Sequence, residues 1–270
     1  MKSALYLTDS YLQEFDAEVI SVADAPSGKD ENTPKNGNKF VVLNQTAFYP
    51  SSGGQLNDIG TLTRASDNKA FEVLFVAKAA GNISHEIKAL SDGSVLNTGD
   101  KVHGKIDWQR RNALQRYHTA SHVLSTVINN ETGALITGNQ LETEKAKIDF
   151  SLKDFDREKM AKYVKKANEV IDKNLPVKTY FLPREEAMKI PGIVKLAAAL
   201  PPAVDELRIV QIGEGNDNKG KEEDNIGNKP FDIQADGGTH VRTLSEIGHL
   251  ELIKLENKGA ERRRIYFKLV

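Results

Sequence analysis

The chain has no cysteine in 270 residues. That excludes disulfides, thiolate catalysis and cysteine-built zinc fingers, and it suits a reducing compartment. It also lacks net charge: 37 Lys and Arg stand against 38 Asp and Glu. No global basic field draws in nucleic acid, so any such binding needs a local patch. Long apolar runs are missing as well. No stretch approaches the roughly 20 apolar residues of a membrane span, and Met1-Lys-Ser-Ala-Leu-Tyr-Leu is too short an apolar run for a signal peptide. The expectation is a cytoplasmic protein with no membrane partner, long enough for one large domain or two ordinary ones.

The segments present divide by texture near residue 106. Residues 4–22 alternate as a strand, a turn and a second strand. Lys39–Asn44, Thr61–Thr63, Phe71–Val76, Ile83–Ile87 and Lys101–Ile106 follow as short β-rich runs separated by Gly, Asn and Asp. This spacing predicts a small N-terminal β-barrel over 1–106. From Asp107 the pattern turns helical, with Asp107 as N-cap and Gly133 as the stop. Ile136–Gln140 and Ala146–Phe150 read as a strand pair. Asp154–Asn174 reads as an amphipathic helix with Met160, Val164, Ala167 and Ile171 inward. Val177–Phe181, Leu207–Ile212, Ile247–Lys258 and Arg264–Leu269 complete the strands, and a short helix follows Pro183. The fold class is therefore α+β: a barrel, then a domain over 107–270 with an antiparallel sheet. Two polar stretches, 24–38 and 213–229, offer nothing to bury and read as mobile loops.

Chemistry concentrates in two places. His118 and His122 stand four apart in a helical context, on one face, where two imidazoles can share a metal ion. The zinc-protease motif needs Glu directly after the first His, and Thr119 stands there instead. A second stretch, Phe231-Asp-Ile-Gln-Ala-Asp-Gly-Gly-Thr-His240, offers Asp236 and His240 around Gly237-Gly238, a pair that permits backbone angles other residues avoid. Three imidazoles and a carboxylate suit zinc. His85, His103 and His249 have no partner at metal spacing and read as strand residues.

The motifs also carry a resemblance. Leu43-Asn-Gln-Thr-Ala-Phe-Tyr-Pro-Ser-Ser-Gly-Gly-Gln-Leu-Asn-Asp-Ile-Gly-Thr-Leu62 resembles the start of the editing region of alanyl-tRNA synthetases. Asp107-Trp-Gln-Arg-Arg, His118-Thr-Ala-Ser-His122, Gly237-Gly-Thr-His-Val241 and Asn257-Lys-Gly-Ala-Glu-Arg-Arg-Arg-Ile-Tyr-Phe267 resemble the rest, in the same order. With no aminoacylation segment before them, the chain resembles the free-standing AlaX editing proteins in their medium form. The resemblance implies ATP-independent hydrolysis of mischarged tRNA(Ala), carrying Ser or Gly, by a hydrolase acting in trans in translation fidelity. Such a second sieve exists because a synthetic site cannot reject near-isosteric amino acids by binding energy alone.

The resemblance also implies one zinc per chain, held by His118, His122 and His240 by identity and by Asp236 by position. Most of the family carries Cys at that position. A carboxylate is a harder ligand, so a weakly held metal is expected. Thr137 and Gln140 are candidates to read the serine side chain in catalysis; the alternative is ordinary sheet polarity. Gly53 and Gly54 resemble the family's glycine motif and would allow close backbone approach to the substrate; a plain hairpin turn is the alternative. Arg110, Arg111, Arg116, Lys258, Arg262, Arg263 and Arg264 form two basic clusters suited to tRNA phosphates, with a solvated face as the alternative. A monomer or weak dimer is expected. The rival function is a tRNA-binding protein of the same fold that has lost hydrolysis along with the cysteine.

Overall fold

The computed structural model describes residues 4–24, 38–79, 81–90, 93–153, 156–193, 204–214 and 229–270. The polar stretches 24–38 and 213–229 lie almost wholly outside the described residues. The chain divides into two compact units, Met1–Asn112 and Ala113–Val270.

The first unit is built on six strands: β1 (Glu14–Asp24), β2 (Lys39–Leu43), β3 (Gly60–Arg64), β4 (Ala70–Ala79), β5 (Asn82–Ala89) and β6 (Lys101–Ile106). They close into an antiparallel barrel in the order β1-β2-β5-β4-β3-β6, with β6 paired back to β1. Alternation sets the inside: along β1, Phe15, Ala17 and Val19 are buried and their neighbours exposed. Val41, Leu62, Phe71, Val73, Ile87 and Val102 fill the rest of the interior. His85 lies buried there too, with Nδ1 at 3.1 Å from the Val41 carbonyl and Nε2 at 2.9 Å from Thr46 Oγ1.

The start of the chain departs from expectation. Among the described residues no strand precedes β1; Leu5–Leu7 is a 3₁₀ turn. It forms because Tyr6 buries its ring against Tyr49, centroids 5.2 Å apart, while the Thr8 amide donates back to the Leu5 carbonyl.

Helix α1 (Trp108–Thr132) starts where expected, the Asp107 carboxylate accepting from the Arg110 amide, and stops at Gly133, whose φ of 71° terminates the helix. From Tyr117 to Ile128 every residue is buried. Its polar members are accommodated by bonding the helix's own carbonyls: Thr119 to Gln115, Ser121 to Tyr117, Ser125 to His122.

In the second unit β7 (Ile136–Leu141) and β8 (Ala146–Phe150) come next. Helix α2 (Arg157–Ile171) follows, N-capped by Asp156, and buries Met160, Val164, Ala167 and Ile171. Strand β9 (Val177–Pro183) leads into α3 (Arg184–Ala187), and then β10 (Glu206–Ile212), β11 (Asp232–Ala235), β12 (Leu250–Asn257) and β13 (Arg263–Leu269). These strands form two antiparallel sheets, β11-β10-β9 and β12-β13-β8-β7. An α+β class with an N-terminal barrel is what the strands and helices make. Strand β11 is the element the sequence did not reveal. Its buried positions are Asp232 and Gln234, so its pattern is polar-inward, the reverse of an ordinary strand.

Candidate metal centre

His118 and His122 lie on consecutive turns of α1, and β11 delivers the Asp236 turn to them. The turn is held by Arg208 on β10, whose Nη1 donates to the Asp236 carbonyl at 3.0 Å and the Gly238 carbonyl at 2.8 Å. The Asp236 amide returns a bond to the Arg208 carbonyl at 3.0 Å. Within the turn the Gly238 amide donates to Asp236 Oδ1 at 2.6 Å.

The glycines act differently from what their sequence suggested. Neither Gly237 nor Gly238 has a positive φ. What the turn needs is space at one of them. A Cβ on Gly238 would stand 2.1 Å from His118 Cε1 and 2.3 Å from its Nδ1; a Cβ on Gly237 would meet nothing within 4 Å.

The result is a quartet, His118, His122, Asp236 and His240, whose four donor atoms all lie within 4.8 Å of one another. Asp236 Oδ2 is 3.4 Å from His118 Nε2 and 3.9 Å from His122 Nε2; Oδ1 is 3.2 Å from His240 Nε2. Donors 2.0–2.1 Å from a tetrahedral zinc stand about 3.3–3.4 Å apart. The donor set and its spacing therefore fit a four-coordinate divalent ion. The histidine side chains are 1–6% exposed and Asp236 is 20% exposed, so the quartet opens at its carboxylate edge.

The outer ring nitrogens fix which nitrogen faces inward. Thr119 Oγ1 donates its one proton to the Gln115 carbonyl and accepts from the Val241 amide. His240 Nδ1, 3.2 Å away, must therefore be a donor, which leaves Nε2 free to ligate. His122 Nδ1 donates to Asp232 Oδ2 at 3.0 Å, and again Nε2 turns inward.

The charges respond to this crowding. Burial disfavours a charged His122, but the Asp232 and Asp236 carboxylates that accept from its ring outweigh it and raise the ring to about 9. His240 is driven well below the ordinary histidine range by burial and then by His118. Burial would raise Asp236, yet the surrounding imidazoles hold it well below the usual carboxylate range. The four groups could hold a metal ion.

Other residues singled out in the sequence fare unevenly. Thr137 sits at the irregularity in the β7–β8 pairing, and its buried hydroxyl has no hydrogen-bond partner. Gln140 donates to Glu142 at 2.9 Å. Gly53 and Gly54 both have positive φ, 59° and 85°, between the bridged Ser52 and Gln55, so a turn there requires them.

The arginine clusters need correction. Arg111 is fully buried: it ion-pairs with the equally buried Asp58 and donates to the Ser10 and Ala47 carbonyls. Arg263 is 6% exposed and donates to Asn257 and to the carbonyls of Lys153 and Gly259. Arg116 is half-buried with Nε and Nη2 on the Ile247 carbonyl, and Arg264 clasps Asp149 through Nε and Nη2. These four guanidiniums stabilise the protein's own frame. Arg110, half-buried on the Asn57 carbonyl, keeps an open edge, while Lys258 and Arg262 are exposed.

Four residues that hold the site, Thr119, Thr126, Arg208 and Asp232, were not singled out in the sequence. Thr126 lies one turn beyond His122, so the helical period was a signal for it; Asp232 lies on a strand whose polar residues point inward, and alternation did not mark it.

The comparisons with known proteins follow this division of the chain. The family described as tRNA synthetases class II (A) matches residues 3–110, and that described as Threonyl and Alanyl tRNA synthetase second additional domain matches 207–266. The alanyl-tRNA editing protein AlaX-M of Methanosarcina barkeri is 45% identical across all of both chains. The protein of that name from Saccharolobus solfataricus is 40% identical over 99% of this chain and 98% of its own. An alanine–tRNA ligase of Pyrobaculum calidifontis is 34% identical over 93% of this chain, which spans 25% of the ligase.

Proposed function

This chain belongs to the AlaX-M family of alanyl-tRNA editing proteins, and on that premise we propose that it hydrolyses the ester of tRNA(Ala) mischarged with serine, with glycine as a second substrate. The observation that carries the reading is the quartet, whose four donors converge to within 4.8 Å. His118, His122, Asp236 and His240 would hold one zinc. When bound, it supplies a Lewis acid beside the ester.

The protein's own groups do the rest. The rings of His122 and His240 present nitrogens preset by their outer partners. The ester would approach at the Asp236 edge, which is 20% exposed while the histidine rings are buried. Thr137 is the candidate reader of the substrate side chain: its buried hydroxyl has no partner among the described residues, an arrangement that costs free energy unless a ligand satisfies it. A serine hydroxyl is the group that would pair with it, and an alanine methyl would leave it unsatisfied. That difference supports discrimination of the magnitude seen where a site hydrogen-bonds one substrate and not its analogue. Gln140 stands as the second polar candidate on β7.

Of the two basic clusters, Arg110, Arg262 and Lys258, the last paired with Glu256 at 2.7 Å, are the candidates for tRNA phosphates. Among the described residues no helix is long and apolar enough to cross a membrane.

The test is deacylation of tRNA(Ala) charged with Ser, Gly or Ala by the purified full chain with zinc supplied. The Ser ester should be cleaved fast and the Ala ester far more slowly. No cleavage of any of them, with tRNA binding retained, would replace this reading by that of a tRNA-binding protein.

A further inference from the structure

We propose that Asp232 is a positioning residue for the metal centre: its carboxylate sets the His122 ring with Nε2 toward the other donors and strengthens that nitrogen as a ligand. The inference rests on the reading of the quartet as a metal site.

Asp232 is 2% exposed, a place where a carboxylate is retained only if its oxygens are bonded. They are. Oδ2 accepts from His122 Nδ1 at 3.0 Å, Oδ1 accepts from Thr126 Oγ1 at 2.8 Å, and Gln234 Nε2 reaches both, at 3.1 and 2.9 Å. His122 and Thr126 are one helical turn apart, so β11 lays a single carboxylate across one face of α1.

Two neutral partners, Thr126 and Gln234, and one imidazole anchor the strand to the helix through these bonds. An amide would keep one accepting oxygen; what it lacks is the second acceptor and the charge. A charge on the outer nitrogen of a ligating imidazole fixes its tautomer and raises its basicity. The comparison inside the site makes the point. His240 has its outer nitrogen on the neutral hydroxyl of Thr119, while His122 has its outer nitrogen on a full negative charge. The two rings face the same centre with different backing, and His122 is the donor held more strongly.

The test uses the full chain stripped of metal and titrated with zinc against a competing chelator, then with cobalt for its visible absorption. Asp232→Asn keeps the shape and an accepting oxygen but removes the charge. It should retain native far-UV circular dichroism, bind zinc 10–100-fold more weakly, and alter the cobalt spectrum. Thr126→Val keeps the charge and removes one bond to it, and should lose less affinity than Asp232→Asn. If Asp232→Asn does not fold, the zinc-loaded wild type carries the test: nitrogen NMR should show His122 protonated at Nδ1 and metal-bound at Nε2, and the opposite assignment overturns the inference. Wild type that takes up no zinc overturns the metal reading and this inference together. Wild type that binds, beside an Asp232→Asn that binds equally tightly with the same cobalt spectrum, overturns this inference alone.

Discussion

Adjacent glycines in the Asp236 turn should respond in opposite ways to the same substitution. Gly238→Ala places a Cβ 2.1 Å from His118 Cε1 and 3.0 Å from Asp236 Oδ1. Carbon atoms rest at roughly 3.5 Å or more, so the ring or the turn must retreat by about 1.4 Å. Metal–donor lengths tolerate about 0.2 Å. One imidazole, and the carboxylate bonded through the Gly238 amide, therefore leave their places. The overpacking should cost about 1–3 kcal/mol of stability, and zinc affinity should fall by more than 100-fold, beyond what loss of an outer partner causes. Gly237→Ala adds the same methyl into open space at a backbone conformation that L-residues adopt. It should be neutral or stabilise by about 0.4–1 kcal/mol. The assay is thermal unfolding and competitive zinc titration of both variants beside wild type. Equal zinc affinity in all three, or loss in Gly237→Ala and not Gly238→Ala, would refute the steric account.

Asp236→Ala should lower zinc affinity and Asp236→Cys raise it, since a thiolate donates more charge than a carboxylate; equal affinity of wild type and Asp236→Ala by titration would remove Asp236 from the ligand set. His122 is raised to about 9 in the metal-free protein, so a metal must displace its proton: affinity should climb from pH 6.5 to 9, with proton release measurable by calorimetry. By the same shift, the stabilisation from protonated His122 is complete below about 6.5 and is lost as pH rises through 9, so metal-free melting temperature should fall across that window. Arg111→Ala should cost about 3–5 kcal/mol by leaving the Asp58 carboxylate buried and unpaired. Arg262→Ala should leave the melting temperature in place, weaken tRNA binding and make the salt slope shallower by about one unit.

The quartet was readable because each half keeps a local period: the histidines at the helical i, i+4 spacing, Asp236 and His240 around a turn. The barrel was readable because Phe15, Ala17 and Val19 alternate with polar neighbours. Strand β11 was not, because Asp232 and Gln234 point inward and reverse the usual pattern; their partners, His122 and Thr126, lie over a hundred residues away in sequence. The arginines misled for a related reason. Arg111 and Arg263 look like surface cations in a list of charges, and only the fold reveals the carboxylate and carbonyls that occupy them. The Gly237-Gly238 pair suggested unusual backbone angles, whereas its requirement is room for the His118 ring. The expectation of mobile loops over 24–38 and 213–229 falls almost entirely outside the described residues.

The central claim is that hydrolysis of mischarged tRNA(Ala) depends on a metal held by His118, His122, Asp236 and His240. It is tested most directly by deacylation of Ser-tRNA(Ala) before chelation, after chelation and after zinc is returned, with Asp236→Ala run in parallel. The account predicts activity that disappears on chelation, returns with zinc in wild type, and returns in Asp236→Ala only at much higher zinc. Activity that survives complete removal of metal, or an Asp236→Ala protein restored at the same zinc concentration as wild type, would contradict it.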